Sequence, residues 1–156
     1  MTPERAMVII SQACAQFRGT LRDHTQIQEA LQRGASQLVL VGGFGGQADH
    51  VLAHFGQILL LRKRGISSFM TSGDEEAYPI IPGTTHLDLP PQSRLSVLPL
   101  CDLQAITLEG VKWPLDRKDV PLGSTLTLSN VTTGPVHVDL SGGHAIAIAY
   151  PADLDG

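Results

Sequence analysis

Apolar and polar positions follow two different rhythms along this chain, and the change falls near residue 80. In 23–33, DHTQIQEALQR, Ile27, Ala30 and Leu31 recur at helical spacing; Asp23 or Thr25 can cap the start and Gly34 ends the turn. Leu38-Val39-Leu40-Val41 is a continuous apolar run, as expected of a strand buried on both faces of a parallel sheet. A glycine loop follows, GGFGGQ. The next helix is predicted over 48–64, with Val51, Leu52, Phe55, Ile58 and Leu59 in register and Gly65 closing it. A strand over 66–71 and a hairpin-like stretch, SGDEEAYPIIPG, complete an α/β pattern.

From Thr84 onward the rhythm is that of short strands, predicted near 84–89, 94–98, 103–109, 111–115, 124–129, 134–140 and 144–149. Turn signals separate them: Pro90-Pro91, Glu109-Gly110, Pro121-Leu122-Gly123, Thr133-Gly134 and Ser141-Gly142-Gly143. The expected fold is therefore α/β plus all-β. A partial α/β nucleotide-binding layer at 1–82 precedes a β-sandwich at 83–156, with the junction in Pro79–Gly83.

Composition narrows the function classes. Of 156 residues, 42% are hydrophobic and 17% charged, which suits a folded globular chain. Net charge is −4 and no basic patch stands out, so nucleic acid is not an expected partner. The start has no signal-peptide h-region and no apolar run approaches the ~18 residues of a membrane span, so the expected compartment is the cytoplasm. Cys14 and Cys101 are too few for a disulfide framework and are expected to be reduced thiols.

The chemistry concentrates at LVLVGGFGGQADH. Glycines admit positive φ and close approach of a ligand to backbone, and the helix start offers N–H groups to an anion. Gly43 to Ala48 also fits the loose GxGxxA dinucleotide pattern, without the acidic residue expected about 20 positions on; position 69 is Phe. A ligand loop and a plain strand-to-helix turn stand at equal weight here. His50 and His54 share a helix face, either as a zinc pair or as two polar helix residues, one lining the loop.

Taken together, five segments resemble the thiamine pyrophosphokinase family. GGFGGQADHVLAHFGQILLL is similar to its GG-x-GGR-x-DH-x-L-x-N segment. Asp23-His24-Thr25-Gln26 resembles its D-x-D-x-T-D helix start, and Leu95 to Leu100 its SLIPL strand. Thr107 to Leu115, TLEGVKWPL, resembles its T-x-GLKWPL hairpin. Gly123-Ser124 and Leu128-Ser129-Asn130 resemble its G-[ST] and S-N elements. The likeness runs collinearly from about residue 21 to 149.

This resemblance implies transfer of a pyrophosphoryl group from ATP to thiamine with Mg2+, in a homodimer whose two subunits share each site. It implies catalytic roles for Asp23, Thr25 and Asp49, with Asp23 on the metal. Gly42, Gly43, Gly45, Gly46, Gln47 and His50 would hold the nucleotide. Trp113, Ser129 and Asn130 would hold thiamine, the flat cation stacking on the indole at about 0.5–2 kcal/mol. Residues 1–20 contain no Asp and only Glu4, so the family's D-G-[GA] and G-D-x-D-S motifs are not found there. Leu21 and Gln26 stand at acidic positions and Gln47 at the loop's Arg. Phosphoryl transfer needs carboxylates to hold magnesium on the phosphates. The expectation is thus an incomplete metal site, with a non-catalytic thiamine- or nucleotide-binding protein as the alternative. A small Rossmann-like nucleotide binder is the reading outside the family.

Overall fold

A computed structural model describes residues 6–9 and 19–152 of the chain. It divides into two compact units, Met1–Gly73 and Asp74–Gly156. The sheet-rich architecture carries two described helices.

In the first unit the order is β1 (Ala6–Ile9), α1 (Gly19–Gln32), β2 (Gln37–Val41), α2 (Ala48–Lys63) and β3 (Ser67–Thr71). β2 pairs in parallel with both neighbours: Leu38 lies opposite Ala6 on one side and Ser68 on the other. Its apolar run does not bury evenly. Leu38 and Leu40 are fully enclosed, whereas Val39 and Val41 are half-buried. α2 buries Phe55, Ile58, Leu59 and Leu61, and Ser68 Oγ on β3 donates to the Ile58 carbonyl at 3.0 Å. Full burial of one such aliphatic side chain contributes about 1.5–3 kcal/mol. The helix stops as its sequence predicts: Gly65 adopts φ 82° and Ile66 N–H donates back to the Leu61 carbonyl at 2.9 Å.

The second unit contains β4 (Glu76–Ile80), β5 (Gly83–Leu87), β6 (Arg94–Pro99), β7 (Leu103–Val111), β8 (Leu115–Val120), β9 (Asn130–Leu140) and β10 (Ala145–Tyr150). β10 lies between β4 and β6, antiparallel to both. β9 lies between β5 and β7, and β8 pairs with β7. The two groups meet where the start of β9 pairs with β6, at Arg94–Val131 and Leu95–Asn130. They close over one core that joins Ile80, Leu95, Val97 and Ala147 with Leu87, Ile106, Leu108, Val136 and Val138.

Three segments differ from the sequence expectation. The hairpin-like stretch contains β4: Ala77 and Ile80 are fully buried against β10, which moves the division between units to Gly73, ahead of Pro79. The strands read at 103–109 and 111–115 are one strand to Val111, followed by β8. Gly110, at φ 78°, makes a bulge there instead of a turn. Residues 124–129 form turns, not a strand. Ser124 Oγ accepts from Leu126 N–H at 3.2 Å, and Thr127 Oγ1 donates to the Val97 carbonyl at 2.5 Å. The Ser124 bond is local and competes with a ladder, the Thr127 bond ties the segment to β6, and Ser129 leaves it at φ 57°.

Tyr78, half-buried on β4, donates its phenol to Glu76 Oε2. Burial first, then the Glu76 carboxylate, push its ionisation well above the ordinary tyrosine value. The unfolded chain therefore releases this proton near pH 10 while the native state keeps it. Stability is expected to fall as pH rises past about 10. Tyr78→Phe should lose less between pH 9 and 11, read as the change in urea midpoint, than the native chain.

Candidate functional site

The glycine loop is shaped by backbone conformation. Gly42, Gly45 and Gly46 take φ of 79°, 81° and 84°, a region that a Cβ makes costly. Gly42 N–H donates to the Thr71 carbonyl at 2.9 Å, fixing the loop's exit from β2. Gly43 is buried, and a Cβ there would stand 2.6 Å from Met70 Cε. His54, 3% exposed, reaches back from α2 and donates its Nδ1–H to the Gly43 carbonyl at 3.1 Å. The carbonyl can only accept, so the geometry sets this tautomer. His54 thus anchors the loop from beneath.

Gln47 is the extended residue before α2 and offers no side-chain cap; its carbonyl accepts from His50 and Val51. Asp49 and His50 face each other. Asp49 Oδ1 accepts the His50 backbone N–H at 3.0 Å and lies 3.8 Å from His50 Nε2. The Asp49 side chain is 75% exposed. Thr25 is exposed on α1. Asp23 falls in the same helix, but its side chain lies outside the described residues, as does Cys14. Among the described residues no three His, Cys, Asp or Glu side chains gather as a metal site.

In the second unit Trp113 stands on the turn between β7 and β8, 55% exposed. Its backbone is locked on both sides by one buried side chain. Asn130 Oδ1 accepts the Trp113 N–H at 3.1 Å, and Asn130 Nδ2 donates to the Trp113 carbonyl at 2.8 Å. The same oxygen also accepts Val131 N–H at 2.9 Å. With Asn130 only 5% exposed, its amide positions the indole's backbone and does not face solvent. Ser129 is exposed, and its N–H donates to Ser96 Oγ at 2.9 Å. Lys112 N–H donates to the Val131 carbonyl at 2.8 Å, and its ammonium sits 4.7 Å from the Trp113 ring centroid. One indole face is thereby next to a cation. Sequence reasoning passed over Lys112, although its place directly before Trp113 in TLEGVKWPL is a visible signal.

The exposed indole thus stands on a turn whose backbone Asn130 locks, over a β core. Residues 84–144 match the family model described as "Thiamin pyrophosphokinase, vitamin B1 binding domain". A curated relative, thiamine pyrophosphokinase of Bacillus subtilis, is 29% identical over 103 residues, covering 65% of this chain and 48% of the relative. The crystal structure of thiamine pyrophosphokinase from Bacillus subtilis superposes with a TM-score of 0.74 at 24% identity, over 83% of this chain and 62% of that one. A thiamin pyrophosphokinase family protein from Enterococcus faecalis gives 0.72 at 25% identity, over 91% and 68%. Thiamin pyrophosphokinase from Candida albicans gives 0.65 at 11%, over 90% and 54%. Over these segments the chain is similar to thiamine pyrophosphokinases, and its fold is the one those structures share. It spans about half the length of the curated relative it matches. No described helix is long and apolar enough to cross a membrane.

Proposed function

We propose that this chain binds thiamine, with Trp113 as the stacking platform of a β-sandwich domain. The observation that carries this reading is the half-exposed indole whose backbone Asn130 holds by paired hydrogen bonds. It lies inside the segment that matches a vitamin B1 binding domain. Stacking, backed by cation–π attraction, suits a flat cationic ring. Ser129, beside Asn130 and exposed, is available for polar contact with that ring. Titration of thiamine against Trp113 fluorescence tests the proposal.

A second reading adds pyrophosphoryl transfer from ATP. It is favoured by the glycine loop, where Gly42, Gly45 and Gly46 leave the backbone open to phosphates ahead of α2. His50 and Asp49 flank that helix start. Transfer also needs charge neutralisation on the phosphates, and Asp23 with Asp49 are the carboxylates on which it would depend. Homodimerisation and the cytoplasm belong to the same reading. The expected result is little AMP from ATP, thiamine and magnesium with this chain alone, because Leu21 and Gln26 replace acidic positions. Magnesium-dependent turnover that disappears in Asp23→Asn would overturn that expectation and establish transfer.

A further inference from the structure

The outward face of β9 carries a polar row that belongs neither to the core nor to the Trp113 turn. Strand alternation sends Val136, Val138 and Leu140 inward, so His137 and Asp139 face the other way. His137 stands directly opposite His86 on β5 and Glu109 on β7. In the next outward row, Asp139 stands opposite Thr84 and Thr107. Thr84 Oγ1 donates to Asp139 Oδ1 at 3.0 Å, pinning the β5–β9 register beside the histidines.

The two imidazoles meet edge to face, with centroids 4.5 Å apart and planes at 89°. Their ring nitrogens make no hydrogen bond to any described residue, and Glu109 forms no ion pair with one. His86 is exposed and His137 half-exposed. Among the described strands β5 pairs with β9 alone, so it is an edge strand held from one side.

We propose that His86 and His137 form a two-imidazole chelate for a divalent transition ion, which fastens the edge strand β5 to β9. Neutral imidazole suits zinc, nickel and copper, while hard cations such as magnesium prefer oxygen. Directly opposed residues in an antiparallel pair have Cβ atoms about 4.5–5.5 Å apart. Ring rotation from the edge-to-face arrangement brings one nitrogen of each toward the roughly 2.0–2.1 Å at which imidazole binds zinc. Among the described residues no third His, Cys, Asp or Glu is gathered with them as the side chains stand. Water fills the remaining positions, and the Glu109 carboxylate in the same row adds negative charge nearby. The chelate requires β5 and β9 paired, so it binds the folded unit and not the unfolded chain.

The test is nickel(II) chloride titrated into the full chain, followed by calorimetry and by thermal melting. Saturable one-to-one binding is expected, with a melting temperature that rises with nickel concentration. His86→Gln and His137→Gln should each weaken binding roughly tenfold or more. The metal-free melting temperature of His86→Gln should stay unchanged, since that ring is exposed. Cys101 Sγ and His144 Nδ1, 3.4 Å apart, are a second pair of soft and imidazole donors in this unit. Cys101→Ser should bind nickel as the native chain does. Loss of binding in Cys101→Ser with retention in both histidine variants would overturn the proposal, as would the absence of saturable binding.

Discussion

Thiamine is expected to quench the fluorescence of Trp113 and to raise the melting temperature of the chain. Trp113 is the sole tryptophan, so the signal has one source. Trp113 is 55% exposed with the Lys112 ammonium 4.7 Å from its ring centroid, so a stacked cation must use the other face or displace Lys112. Stacking with cation–π attraction contributes about 0.5–2 kcal/mol to that binding. Ligand that binds only the native state stabilises it by about 2.7 kcal/mol at 100 times Kd. Trp113→Ala should abolish the thermal shift and leave the fold intact. The Asn130 bonds go to the backbone of residue 113, which alanine retains. If millimolar thiamine moves neither signal in the native chain, Trp113 is a half-exposed turn aromatic and nothing more.

The second large effect is on stability. Gly110 lies in the β7 bulge at φ 78°, and a Cβ there would stand 2.0 Å from the Pro135 carbonyl oxygen and 2.8 Å from its carbon. Both are backbone atoms of β9, which cannot swing aside as a side chain can. Positive φ costs an alanine about 1–2 kcal/mol, and overpacking adds about 1–3 kcal/mol. Gly110→Ala should therefore destabilise by roughly 2–5 kcal/mol, a large share of the ~5–15 kcal/mol that holds a domain together. Gly123→Ala separates the two causes. Its φ is 84°, yet nothing lies within 4 Å of the added carbon. Urea unfolding should show a loss for Gly123→Ala of only the backbone part. Equal losses in the two variants would mean that β9 yields at Pro135.

Helical spacing made α2 legible almost to the residue, 48–64 read against Ala48–Lys63 found, because the periodicity of Phe55, Ile58 and Leu59 is local information. The parallel strands around the glycine loop were legible for the same reason. β4 was not, since its residues fall inside SGDEEAYPIIPG, which read only as a hairpin-like stretch. Pairing with β10 makes it a strand: Pro79 lies opposite Ile146, and Ala77 is sealed in the core. In the opposite sense, the alternation of Ser124 to Ser129 read as a strand, yet hydroxyl-to-backbone bonds turned it.

The candidate site divides along the same line. Trp113, the glycines and the segments that resemble thiamine pyrophosphokinases are local words, and the sequence by itself determined them. The tertiary structure decided that Asn130 grips Trp113 across 17 residues, and that His54 supports Gly43 across 11. It also decided that His86 faces His137. Each of these contacts is set by strand register or by how a helix packs on its sheet. Such contacts depend on the sum of many buried side chains, so no short window of sequence contains them.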